Sequence, residues 1–205
     1  MIRFPGSSAV GKILPKEEFY KRLSLSTELK NKFVSDIRRI TLENSLSEKS
    51  LRLQSGSEIV EILVLALDLK KREVDERILE QIARQNKHHI LFLLRFDELG
   101  QLALYINKLY KTEWQSLETM QLETRGFRLD EVWNGYAEQI ALHKEPGCSD
   151  DEVPIAYRLR RLEDIQRLEK SIDQLEKAAR AEKQPKKKFE LAMQARQLKK
   201  ELNEL

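Results

Sequence analysis

The chain has a single cysteine, Cys148. That excludes an internal disulfide and any metal site built from cysteines alone, and it fits a reducing compartment. Aromatic residues make up only 7%, so one modest core is expected. No stretch reaches about 18 uninterrupted apolar residues, and the first residues carry no long apolar run. We expect a soluble, cytoplasmic protein with no membrane association. Histidine is scarce too. His88 and His89 lie on alternating faces with no carboxylate or cysteine at ligand spacing, and His143 falls in a linker. A zinc site would need more ligands, so neither a metal nor another cofactor is expected. No Ser/His/Asp arrangement is legible, and Cys148 beside Asp150 and Asp151 is a poor thiolate site. Covalent catalysis is therefore not expected.

Charge, by contrast, is plentiful. Asp, Glu, Lys and Arg make up 35% of the 205 residues, and the net charge is +3. Residues 154–205 hold 14 Lys/Arg against 9 Asp/Glu, a balance of +5, whereas the remainder stands at −2. The basic excess sits in the C-terminal quarter, where it favours an acidic partner such as nucleic acid or serves as a solvated face.

The most ordered pattern lies in residues 58–108. Residues 58–67 are almost continuously apolar, as in a strand covered on both faces. Val74, Ile78, Leu79 and Ile82 then fall at helical spacing. Residues 89–96 read as a second strand, 97–100 as a turn and 101–106 as a third strand. The result is a β-α-β-β core. Ahead of it, residues 1–14 read as an irregular arm. Gly6 to Lys12 has the GxxxxGK spacing of a phosphate loop, but Ile13 replaces the required Ser or Thr, no apolar strand precedes it, and Pro15 interrupts any helix. One helix is expected after Pro15 and another from Ser26 onward, with Leu29, Phe33, Ile37 and Ile40 on one face. Residues 41–53 fit a short strand pair. Leu129, Val132, Trp133, Tyr136 and Ile140 define a helix over 130–142.

Residues 143–153 are a linker of Pro, Gly, Ser and acidic residues. Beyond it Ile155, Leu159, Leu162, Ile165, Leu168, Ile172, Leu175 and Ala179 step by three or four. After Pro185, Leu191, Ala195, Leu198, Leu202 and Leu205 do the same. Two such stripes joined by a short turn predict an antiparallel helical hairpin. The fold class expected is α+β: a globular body over 1–142, a linker over 143–153 and a basic helical hairpin over 154–205.

Three groups of residues are candidates for function. Glu61, Asp68 and Lys70 lie on or just after the first core strand, and carboxylates with a lysine can hold Mg²⁺ against a phosphate. Strand parity sets Glu61 and Asp68 on opposite faces. Arg158, Arg160, Arg161, Arg167, Lys186, Lys187 and Lys188 line the hairpin, where they would neutralise phosphates without reading sequence. Ile155, Leu159 and Leu162 begin the longer arm. A shorter second arm would leave them uncovered and able to dock a partner or a second copy.

Recurring residues also link the chain to a family. They are Phe4-Pro5; Ile13 with Pro15-Lys16 and Phe19-Tyr20; Phe33 with Asp36-Ile37 and Ile40-Thr41; Glu61-Ile62; Ile90-Leu91-Phe92; Gly126-Phe127 with Leu129; and Lys188 with Glu190-Leu191. In these the chain resembles a bacterial domain-of-unknown-function family of small proteins. Its members are often encoded beside helicase and DNA-methyltransferase genes in restriction-like phage-defence loci. Similar proteins often carry Asp and Ile-Pro where this chain has residues 83–88, so a role tied to that acidic residue does not transfer. The resemblance implies a helicase or methyltransferase partner. The absence of a catalytic signature points to a non-enzymatic accessory subunit, with DNA or a second copy as further possible partners. The alternatives are a Mg²⁺-dependent nuclease using Glu61, Asp68 and Lys70, or a nucleic-acid-binding module using the basic tail.

Overall fold

The computed structural model describes residue 2 and residues 4–143 and 154–204. It is mixed α+β, as the pattern predicts, and divides into two compact units, Met1–Asp151 and Glu152–Leu205. Of the 143–153 linker only His143 falls within the described residues; Cys148, Asp150 and Asp151 lie outside them.

In the first unit a 3₁₀ turn, Gly6–Ser8, leads into β1 (Ala9–Leu14). Helices α1 (Lys16–Arg22) and α2 (Thr27–Asp36) follow, then β2 (Ile37–Leu46), a single turn α3 (Glu48–Leu51) and β3 (Ile62–Leu69). The core continues through α4 (Glu76–Arg84), β4 (His89–Phe96), β5 (Leu99–Tyr105), β6 (Leu109–Lys111), β7 (Gln115–Ser116) and α5 (Leu129–Ala141). The sheet runs in the order β1-β2-β3-β4-β5-β6, with β7 also on β5. Among the described strands only β3 and β4 pair in parallel, because the α4 crossover joins them.

Both faces of the central strands are buried, which explains their near-continuous apolar sequence. Leu65, Leu67 and Leu69 share one core with Phe92 and Leu94, with Leu29 and Phe33 of α2, and with Ile78, Leu79 and Ile82 of α4. The alternate residues Ile62, Val64, Leu91, Leu102 and Leu104 are buried as well. The α5 helix buries Leu129, Val132, Trp133, Tyr136 and Ile140. Its Trp133 meets His89 of β4 edge-on at 4.7 Å.

Three expectations are corrected here. The arm over 1–14 contains a strand, and Gly11 at φ 65° sits where its register with β2 shifts. That is a left-handed conformation glycine adopts freely. The GxxxxGK spacing thus runs from the 3₁₀ turn into an edge strand rather than through a strand-to-helix turn. The second helix stops at Asp36, and Ile37 and Ile40 belong to β2. Finally, 41–53 is not a strand pair: it continues β2 and ends in the α3 turn, capped at Ser47.

The second unit is a pair of helices, α6 (Ile155–Ala181) and α7 (Pro185–Glu204), that pack on each other. Among the described residues no helix is long and apolar enough to cross a membrane.

Candidate functional site

The nuclease candidates begin with Asp68. It sits on β3 opposite Arg39 of β2 and Arg95 of β4 in the sheet register. Both guanidinium groups reach it: Arg39 Nε donates to Asp68 Oδ2 at 2.8 Å and Arg95 Nε to Asp68 Oδ1 at 2.8 Å. A second arm of Arg95 holds Glu43 at 2.6 Å. The four side chains form a charge-balanced row across three strands. Cross-strand pairs of this kind fasten a sheet, and each oxygen of Asp68 already accepts from an arginine.

Glu61 lies seven residues away, just before the opposite end of β3. At about 3.3 Å per residue that is roughly 23 Å. It accepts a hydrogen bond from Ser45 Oγ and faces His88 Nδ1 at 3.3 Å. Lys70 lies past the end of β3, and its ammonium donates to the carbonyl of Val34 at 2.9 Å. Lys16 likewise donates to the carbonyl of Ile37. Both lysines thus serve carbonyls at the C-terminal end of α2, where a positive charge suits the helix dipole. Burial, and then the nearby charge of Lys70, push the Lys16 ammonium below its usual range. The structure does not bring Glu61, Asp68 and Lys70 together. Among the described residues no three His, Cys, Asp or Glu side chains are grouped to hold a metal ion.

A second polar cluster ties α2 to the loop before α4. Asp36 is buried and pairs with Lys71 at 2.8 Å and with Ser35 Oγ at 2.6 Å. Burial works to raise its carboxyl, but the bonds from Lys71 and Ser35 prevail and hold it below the usual value. Asp75 caps α4 by accepting from the Arg77 amide, and it binds the Arg77 and Lys32 side chains. Those bonds, Arg77 first, hold its carboxyl well below the carboxylate range. Each group answers to a structural neighbour.

Between α1, α4 and the sheet lies a cleft of about 430 Å³. Its floor includes Leu14, Phe19, Leu42, Leu63 and Leu65, and its rim includes Glu18, Gln85, Lys87 and His88. Sequence reasoning missed it, because two helices, three strands and the loop after α4 supply it, from positions as far apart as Leu14 and His88.

The hairpin candidates separate into two groups. Along α6, Arg167 pairs with Asp164, Lys177 with Asp173 and Arg180 with Glu176, while Lys199 of α7 also reaches Glu176 at 2.6 Å. Arg160 and Arg161 are exposed, as are Lys186, Lys187 and Lys188 at the start of α7. Arg158 is half-buried. The apolar start of α6 is not open as the unequal arms suggest. The arms do differ in length, yet Ile155 and Leu159 are only 6% and 2% exposed, leaving Leu162 at 40%. Counting residues in the two arms does not decide which side chains are covered. Phe189 and Met193 of α7 are exposed instead. Their signal was two apolar residues four apart, off the packing stripe.

Compared with known proteins, residues 2–202 match a family described as Domain of unknown function (DUF4391). No curated protein and no solved structure matches the chain.

Proposed function

We propose, from the premise that the chain belongs to the DUF4391 family, that it is a non-enzymatic accessory subunit that binds other proteins. Its setting in this reading is a restriction-like anti-phage defence complex containing a helicase and/or a DNA methyltransferase, in the cytoplasm. The setting rests on the resemblance in Phe4-Pro5, Phe33, Asp36-Ile37 and the other recurring positions. The observation that carries the binding role is the helix pair. It presents Tyr157, Leu162, Phe189 and Met193 as exposed large apolar side chains on a scaffold of only two helices. Apolar surface of this kind, set among charges, suits protein association.

The nuclease reading is weighed down by the engagement of Asp68 with Arg39 and Arg95 and by the distance to Glu61. A nucleic-acid-binding module remains the second reading, favoured by the exposed Lys186, Lys187 and Lys188 at the start of α7.

The deciding experiment is purification of the tagged chain from its native host, with identification of what stays bound through salt washes. The expected result is co-purification of a helicase or methyltransferase subunit. Recovery of the chain alone would overturn the reading. In parallel, plasmid DNA is incubated with the chain and Mg²⁺, and no cleavage is expected. Cleavage abolished by Asp68→Ala would establish the nuclease instead. Binding to duplex DNA that weakens steeply with salt, and is lost on charge reversal at Lys186 to Lys188, would establish the nucleic-acid reading.

A further inference from the structure

Two stripes run along α7. Leu191, Ala195, Leu198 and Leu202 step by 4, 3 and 4 and are the covered or half-covered positions of the helix. Lys186, Phe189, Met193, Arg196 and Lys200 step by 3, 4, 3 and 4. Phe189 is two residues from Leu191, which at 3.6 residues per turn puts it about 200° around the helix. This second stripe therefore lies opposite the first. Phe189 is 67% exposed and Met193 48%. Lys186, Arg196 and Lys200 are exposed, and among the described residues no ion pair holds any of them. Arg167, Lys177, Arg180 and Lys199, by contrast, each have a carboxylate partner. Met193, Arg196 and Lys200 also line a surface concavity with Gln197 and Glu201. Glu190 and Glu201 border the stripe, yet α7 as a whole carries six Lys/Arg against three Glu.

We propose that this outer face of α7 is the docking site for an acidic amphipathic helix of a partner protein. The inference rests on the accessory-subunit reading and names the partner's chemistry. Phe189 and Met193 sit one turn apart, the spacing at which helices exchange apolar anchors. Methionine adapts its shape to the residue it meets. The cations at either end would pair with carboxylates flanking the partner's apolar residues and would set its orientation. A second copy of this chain fits poorly. Antiparallel stacking would set Lys186 against Lys200, and parallel stacking would set each cation against itself. A nucleic acid would take the cations, but its phosphates would leave Met193 without a role.

The test uses the full chain and fluorescence anisotropy with three probes. One is a synthetic 20-residue helix with leucines four apart flanked by glutamates. The second is the same helix with lysines in place of the glutamates. The third is a short DNA duplex. The glutamate helix should bind, and the lysine helix should bind at least about tenfold more weakly, because charge complementarity selects partners. Phe189→Asp with Met193→Asp should weaken the glutamate helix at least about tenfold, as loss of an anchor does. Reversal of Lys186, Arg196 and Lys200 to Glu should invert the preference. All five positions are exposed, so circular dichroism should show an unchanged helix content. If the aspartate pair reduces it, Phe189→Ala supplies the milder variant, with weakening in the same direction.

Failure of the glutamate helix to bind, or equal binding of the two helices, would overturn the proposal. So would tighter binding of the duplex that ignores Phe189 and Met193, or a dimer in sedimentation that the aspartate pair dissolves. In the native host, a partner that stays bound to the aspartate pair would remove this surface and leave the accessory-subunit reading intact. A wild-type chain with no partner would remove that reading instead.

Discussion

The two units of the chain bury leucine and isoleucine to different extents. In the body Ile37, Ile40, Leu67, Ile78 and Leu94 are wholly buried between the sheet and its helices. In the helix pair Ile155, Leu159 and Ile172 are buried, but the stripe positions Ile165, Leu168, Leu175, Leu191 and Leu198 are only half-buried. A sheet with helices α2 and α4 on one face and α5 on the other encloses its side chains, whereas a pair of helices leaves many of its stripe positions partly open to water. Burial free energy follows area, so the same side chain contributes less in the pair. The body is therefore the stable scaffold and the pair the exposed, charge-covered surface.

The largest test of this comparison makes one chemical change in both places. Leu67→Ala, in a site that is fully enclosed, should cost about 3–5 kcal/mol, because transfer and cavity terms add. Leu168→Ala, half in water already, should cost about 1–2 kcal/mol by lost area alone. Both tryptophans, Trp114 and Trp133, lie in the body. Urea titration followed by tryptophan fluorescence thus reports the body, while far-ultraviolet circular dichroism adds the helix pair. Equal losses at the two positions would break the distinction.

The same contrast explains how much of the fold the sequence reveals. The β3-α4-β4-β5 core is legible because strands covered on both faces must be apolar at nearly every position. The hairpin is legible because helix pairs repeat every three or four residues. What escapes local reading depends on distant partners. The β3 strand starts at Ile62 and not at 58 because the Glu58 and Ile59 amides donate to the carboxylate of Asp130, 72 and 71 residues away. Ile37 and Ile40 are three apart, which reads as helix. A register shift between Ile37 and Arg39 puts both on one face of a strand instead. The β1 strand escapes because an exposed edge has no apolar alternation to show.

The candidate site was legible in part. Strand position put Asp68 and Lys70 near one strand end, but Lys70 lies beyond Leu69, the last residue of β3, and turns to the end of α2. No local pattern announces the Arg39–Asp68–Arg95 row, because it runs across three strands rather than along one.

A smaller effect separates the units by pH. Burial against Trp133 pushes the His89 imidazole below its ordinary value of 6.5, against an opposing pull from Asp130 and with a small further push from His88. In the unfolded chain His89 takes a proton near pH 6.5, whereas in the folded body it resists until lower pH. The unfolded state then binds more protons, so body stability is full above about pH 6.5 and declines as pH falls through the folded value. Melting temperatures followed by tryptophan fluorescence should show this decline for the wild type and a flatter one for His89→Asn. The circular dichroism signal of the helix pair contains no histidine contribution, since His88, His89 and His143 all precede residue 154. An unchanged acid limb in the variant would assign the decline to other groups.

The least effect is expected on the surface of the pair itself. Lys177 and Asp173 are a turn apart on α6, with Nζ 2.6 Å from Oδ2 and side chains 72% and 58% exposed. Water screens such a pair, and holding two long side chains in place costs entropy, so the net contribution is small. Glutamate or aspartate ahead of lysine by four residues is the favourable order along a helix, yet even this is worth only about 0.3–0.5 kcal/mol. Lys177→Ala also gains the higher helix propensity of alanine, which offsets part of that loss. The melting transition seen by circular dichroism should therefore move by less than about 0.5 kcal/mol, and adding salt should shrink the difference further. A loss above about 1 kcal/mol would mean that the pair is held by its charges and not by the Ile172 and Leu175 stripe, and the contrast with the body would have to be redrawn.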